Sequence, residues 1–204
     1  MVKNKLGKKK KAIIVLHEIY GLNLFVKEQC QKYTDTGFDV YCPNFLNRPP
    51  FLYDEANAAY EYFTQNVGFQ VYEEINNLVY QLKESYDTVF LLGFSVGATI
   101  AWQCCENTLC SGIIACYGSR IRDYTNLCPA CPTLLLFAKE DSFDVAATAS
   151  RLRDKPYLVL MELDAKHGFL DVHSKQYNQQ MTKIAEESIT DFLNTYESKT
   201  SLRS

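Results

Sequence analysis

The pentapeptide Gly93-Phe94-Ser95-Val96-Gly97 is the most chemically suggestive stretch of the chain. A G-x-S-x-G pattern suits a sharp strand-to-helix turn that lifts a serine above the edge of a sheet. The two glycines fit because a side chain at either position would crowd the turn. The bare pattern is weak, but here it follows the apolar run Val89-Phe90-Leu91-Leu92 and opens a helical segment, which is the context the turn needs. A serine hydroxyl becomes a useful nucleophile only when a base removes its proton. The chain has 3 histidines. His17 comes far before the elbow, and His173 lies toward the final helix, where an exposed side chain is expected. His167, in Asp164-Ala165-Lys166-His167-Gly168-Phe169, follows the last strand and fits the order serine, acid, histidine. The acid belongs after the strand between them, in Glu140-Asp141-Ser142-Phe143-Asp144. Asp141 is the choice, to hold the imidazole tautomer and stabilise the imidazolium. Spacing alone leaves Glu140 and Asp144 open, although Asp144 also suits the N-cap of the helix that follows.

These residues need a scaffold. Strand-length apolar runs alternate with segments of helical period along the chain. Strands are expected at Ala12–Leu16, Phe38–Cys42, Thr88–Leu92, Gly112–Tyr117, Thr133–Phe137 and Tyr157–Met161. Asn23 offers an N-cap for a helix to about Tyr33, ended by Thr36-Gly37. Further helices carry Val71, Ile75, Leu78, Val79 and Leu82 on one face, or Ala98, Ala101, Trp102 and Cys105. Others are expected near Val145–Leu152 and through Met181, Ile184, Ala185, Ser188 and Phe192. Apolar strands separated by helices imply an α/β fold with a mainly parallel sheet covered on both faces. Right-handed crossovers leave all strand C-termini on one edge, where open α/β sheets bind their ligands.

Composition narrows the classes of function. At 204 residues and 47% hydrophobic, the chain suits one globular domain with a sizeable core, expected over residues 11–198. Residues 1–10, with Lys8 to Lys11 at their end, read as a flexible basic tail, and 199–204 as a short C-terminal one. A net charge of −3 offers no field for nucleic acid or an anionic membrane. The run Ala12–Leu16 is too short for a signal peptide, and no stretch reaches a membrane span, so a cytoplasmic protein is expected. The 8 cysteines then read as reduced, several of them core residues. Cys128-Pro-Ala-Cys131 has redox or half-zinc spacing but lacks a second ligand pair, so no metal is expected there.

The chain resembles the dienelactone hydrolase family. The resemblance rests on His17-Glu18-Ile19-Tyr20-Gly21-Leu22-Asn23 after the first strand and on Phe38-Asp39-Val40-Tyr41-Cys42-Pro43-Asn44 at the second. Cys116-Tyr117-Gly118, Glu140-Asp141 and His167-Gly168-Phe169 continue it, so that it spans about residues 11–195. It implies a minimal α/β-hydrolase core without a cap domain. It further implies an oxyanion hole from the backbone N–H groups of Ile19 and Val96, and an acidic residue, Glu18, beside the nucleophile. Tyr20, Tyr117 and Arg120 are read as substrate contacts. The best-known members carry a cysteine nucleophile where this chain has Ser95, so the role of Glu18 cannot transfer unchanged.

The expectation is therefore a serine hydrolase that cleaves a small ester or lactone, including a thioester, through an acyl-enzyme and without a cofactor. The rivals are an idle hydrolase-like binding protein and a thiol-redox or zinc protein built on Cys128 and Cys131. No Lys or Arg lies between Arg48 and Lys83, where Phe51, Tyr53, Tyr60, Tyr62 and Phe63 stand instead. That favours neutral substrates over carboxylate-bearing ones. Arg120 and Arg122 are the cations able to reverse the preference from another side.

Overall fold

The computed structural model describes residues 10–200, with side chains to residue 197. Residues 1–9 and 201–204, which make up most of the two expected tails, lie outside the described residues. One six-stranded sheet organises the rest, in the order β2-β1-β3-β4-β5-β6, and every pairing in it is parallel. The strands are β1 (Lys11–Leu16), β2 (Asp39–Tyr41), β3 (Thr88–Phe94), β4 (Gly112–Cys116), β5 (Thr133–Glu140) and β6 (Leu158–Lys166). The helices are α1 (Leu24–Asp35), α2 (Ala56–Asn66), α3 (Tyr72–Lys83), α4 (Val96–Gln103), α5 (Val145–Leu152) and α6 (Gln179–Thr200). None of them, among the described residues, is long and apolar enough to cross a membrane.

The central strands are buried on both faces, and alternate residues feed two separate cores. Ile14, Leu16, Leu91, Ile113, Leu135 and Phe137 pack with α2, α3, α4 and α5. Ile13, Val15, Phe90, Leu92, Ile114 and Leu136 pack with α1 and α6 on the opposite face. Each fully buried aliphatic side chain contributes about 1.5–3 kcal/mol, so the two-sided burial is the main source of stability. Local signals set the helix ends. Asn23 accepts from the Val26 N–H at 3.0 Å, and Asp144 accepts from the Ala147 N–H at 2.9 Å. Asp144 is thereby committed to capping α5.

Two strands run well past their expected ends. β5 continues to Glu140 and β6 to Lys166. β6 is an edge strand whose outer face is wet, so Glu162 and Asp164 alternate with Leu163 and Ala165 in a pattern that an apolar run does not reveal. α4 is shorter than its apolar stripe, since Cys105 lies past its end yet is buried. The remaining element boundaries lie within a few residues of expectation.

Candidate active site

The residues singled out by their chemistry stand at strand C-termini along one edge. β1 ends at Leu16 and is followed by His17-Glu18-Ile19, while β3 ends at Phe94 and is followed by Ser95. β5 ends at Glu140 before Asp141, and β6 ends at Lys166 before His167. A parallel sheet delivers this convergence automatically, because every strand points the same way.

Ser95 occupies the elbow with φ 55° and ψ −115°, a strained backbone for a residue with a side chain. The turn is possible only with glycine on either side. A Cβ on Gly93 would stand 2.1 Å from the Gly97 carbonyl oxygen, and a Cβ on Gly97 would stand 2.3 Å from the Leu16 carbonyl oxygen. The elbow is also pinned to the sheet, since the Ser95 N–H donates to the Cys116 carbonyl at 3.0 Å.

Ser95 Oγ lies 2.9 Å from His167 Nε2, and His167 Nδ1 lies 2.7 Å from Asp141 Oδ2. The Asp141 side chain is 2% exposed, and its other oxygen accepts from the Ser142 N–H at 2.6 Å. Glu140 points to solvent beside Lys166. Burial pulls the His167 pKa down, but the hydrogen bond and charge of Asp141, with Glu18 adding to them, outweigh it and leave the pKa above its ordinary value. A hydroxyl, an imidazole and a buried carboxylate in this line can pass a proton from the serine to the ring.

Ile19 and Val96 line the cleft beside Ser95. Val96 is the first residue of α4, where the helix has no carbonyl to satisfy the N–H. Two such donors beside a nucleophile suit a developing oxyanion. Glu18 is not a surface ion-pairing residue. It is 4% exposed, and its pKa is raised to about 7, first by burial and also by Asp171, against the lowering effects of His167 and Tyr117. His17, fully buried, stacks on Phe45 at 3.5 Å and donates from Nδ1 to the Glu18 carbonyl at 2.7 Å. It takes no part in the cleft. His173 is exposed, as expected, and pairs with Glu28 at 2.9 Å.

The cleft divides into two lobes that meet at Ser95, Ile19 and His167. The outer lobe, of about 880 Å³, is walled by Tyr60, Arg120, Arg122 and Lys166. Arg120 reaches it but is paired with Asp123 at 2.7 Å. The inner lobe, of about 130 Å³, includes Glu18, Tyr20, Tyr53 and Asp171. Tyr20 is thus placed where a substrate arm would touch it. Tyr117 is placed elsewhere: with φ 45° its ring turns under the floor, fully buried against His167, Phe94 and Phe169. Phe51 and Phe63 are core residues, so only Tyr60 and Tyr53 of the aromatic segment wall the two lobes. Asp171 has no signal in the sequence. It becomes visible only when Tyr53 is seen donating its hydroxyl proton to it and accepting from Asn23 Nδ2 at 3.1 Å. The Cys128–Cys131 pair is divided between environments, with Cys128 exposed and Cys131 buried against the Cys105 carbonyl.

A parallel sheet, a strained serine elbow and site residues at strand C-termini define an α/β-hydrolase fold. Within that class, the chain belongs to the dienelactone hydrolase family, whose family model matches residues 1–197. It is 40% identical over 177 residues to the uncharacterized protein YczH of Bacillus subtilis (strain 168), covering 84% of this chain and 87% of that one. It is 21% identical over 197 residues to carboxymethylenebutenolidase 1 of Cupriavidus pinatubonensis, covering 89% and 84%. A solved structure from Klebsiella pneumoniae, provisionally assigned as a dienelactone hydrolase, superposes with a TM-score of 0.78 at 16% identity, over 94% of this chain and 89% of that one. That last likeness is one of fold.

Proposed function

We propose that this protein is a serine hydrolase that cleaves a small ester, lactone or thioester through an acyl-enzyme. The observation that carries the reading is the continuous line from Ser95 through His167 to buried Asp141, open to the cleft. His167 Nε2 takes the hydroxyl proton as Ser95 Oγ bonds to the substrate carbonyl carbon. The Ile19 and Val96 N–H groups hold the oxyanion, each such donor contributing about 3–4 kcal/mol at the transition state. Collapse expels the alcohol, which takes the proton from His167. Water then attacks the acyl-serine by the same route in reverse.

The site needs no metal or organic cofactor for these steps. Glu18, buried beside the site, is read as a residue that positions the resting nucleophile and tunes His167. Because Arg120 is paired with Asp123 and Lys166 stands near Glu140, neutral substrates are favoured over carboxylate-bearing ones. The butenolidase relative supports an ester-type bond as the target.

Labelling with a fluorophosphonate, followed by mapping of the modified residue, tests the reading. An adduct on Ser95 that disappears in His167→Ala is expected. Labelling of a different residue, or none on folded protein, would overturn it.

A further inference from the structure

The inner lobe differs in character from the rest of the cleft. Glu18 and Asp171 both line it, at 4% and 1% exposure, and no Lys or Arg does. Asp171 is held as an acceptor on both oxygens: Oδ2 takes the Tyr53 hydroxyl proton, and Oδ1 takes the His173 N–H at 2.8 Å. The buried Tyr117 hydroxyl stands against the Glu18 carboxyl and favours its ionised form. Above the two acids, the Tyr20 and Tyr53 rings stand with centroids 4.9 Å apart and planes inclined at 60°. Two aromatic faces at an angle over buried negative charge are a recognised receptor for an alkylated ammonium group. The volume of about 130 Å³ equals roughly four waters, enough for such a head group and little more.

We propose that the inner lobe binds an alkylammonium arm of the substrate, with Asp171 as the specificity-determining residue and Tyr20 and Tyr53 as its aromatic walls. The inference rests on the ester-hydrolase reading and narrows it to small esters that carry one cationic arm. A carboxylate arm entering the lobe would meet Asp171 without a compensating cation. A neutral arm would fill the space but gain no charge attraction. The outer lobe then receives the other arm of the ester.

The test uses three esters that are alike except for the end of one arm: trimethylammonium, its isosteric tert-butyl twin and a carboxylate. The series is made in both senses, with the end group on the alcohol side and on the acyl side. The wild-type kcat/KM is expected to favour ammonium over tert-butyl by at least about fivefold and over carboxylate by at least about thirtyfold in one of the two senses, as for a partly screened charge at close range. Asp171→Asn should bring all three within about threefold. Tyr53→Phe, which removes the hydroxyl but keeps the Asp171 charge, should retain the order. Tyr20→Leu should reduce the ammonium advantage over tert-butyl while leaving carboxylate disfavoured. The proposal is overturned if wild type shows no ammonium preference, if Asp171→Asn preserves the order, or if Tyr53→Phe abolishes it equally. Should wild type hydrolyse none of the three, the hydrolase reading itself falls. Calorimetric binding of the corresponding non-hydrolysable ethers to wild type and Asp171→Asn then decides the ammonium preference on its own.

Discussion

Asp141 and His167 are neighbours across the last strand pair of the sheet. Each directly follows one member of the paired positions Glu140 and Lys166, and the His167 N–H donates to the Glu140 carbonyl at 3.1 Å. The register shift between Ala138 and Glu140 sets that final pairing, so the side chains of the next two residues meet at 2.7 Å. Charge is brought to the imidazole by backbone pairing, without depending on a flexible loop.

This relationship separates Asp141 from its neighbours. Asp141→Asn should lower kcat by about 10⁴-fold, with KM nearly unchanged, because the tautomer that accepts the Ser95 proton is lost. Glu140→Gln should stay within about twofold of wild type, because its carboxylate faces solvent. Steady-state kinetics on any accepted ester checks both.

The pH profile follows from the same group. In the proposed mechanism His167 acts only when neutral, so kcat/KM should rise with pH through its pKa, which lies above the ordinary 6.5. Glu18→Gln removes one of the negative charges that raise that pKa. The acid limb of the variant should therefore move to lower pH. Turnover should fall more than KM rises if Glu18 orients the resting nucleophile. A limb that does not move would assign Glu18 to structure alone.

Two adjacent buried groups should push acid stability in opposite directions. His17 has its pKa lowered from 6.5 to about 4 by burial, so its contribution is whole above 6.5 and is lost as pH falls toward 4. Glu18 has its pKa raised from 4.5 to about 7, so its contribution is whole below 4.5 and is lost as pH rises through 7. Each is worth about 3 kcal/mol across its window. Urea unfolding of His17→Gln should show a shallower loss of stability between pH 6.5 and 4. Glu18→Gln should show a steeper one.

The elbow glycines make a structural prediction. Gly97→Ala would drive a methyl group into the Leu16 carbonyl, a contact with backbone that no side-chain rotation relieves. A loss of at least about 10 °C in Tm, or failure to fold, is expected in thermal unfolding.

Ser95, Asp141 and His167 are legible in the sequence for one physical reason. Each directly follows an apolar strand, and a parallel sheet gathers such positions without further information. Spacing leaves Asp144 open as the acid, although its capping role, which is also local, already points away from the site. What stays hidden depends on loops meeting in space. The junction of Asn23, Tyr53 and Asp171 joins three segments that no spacing relates. Tyr117 follows β4 just as the other site residues follow their strands, yet its left-handed backbone sends the ring downward, and periodicity carries no sign of that. Phe51 and Phe63 share their composition with Tyr53 and Tyr60, and only the packing around α2 sorts core from cleft.

The placement of His167 after the final strand has a consequence for how the protein comes into being. Ser95 and its base are 72 residues apart along the chain. At a synthesis rate of about 5–20 residues per second, the ribosome takes roughly 4–14 s to travel from one to the other. Throughout that interval the elbow can exist, but the serine has no base and remains chemically quiet. On the proposed mechanism, a chain that ends anywhere before His167 carries the serine without its base and should be inert toward esters.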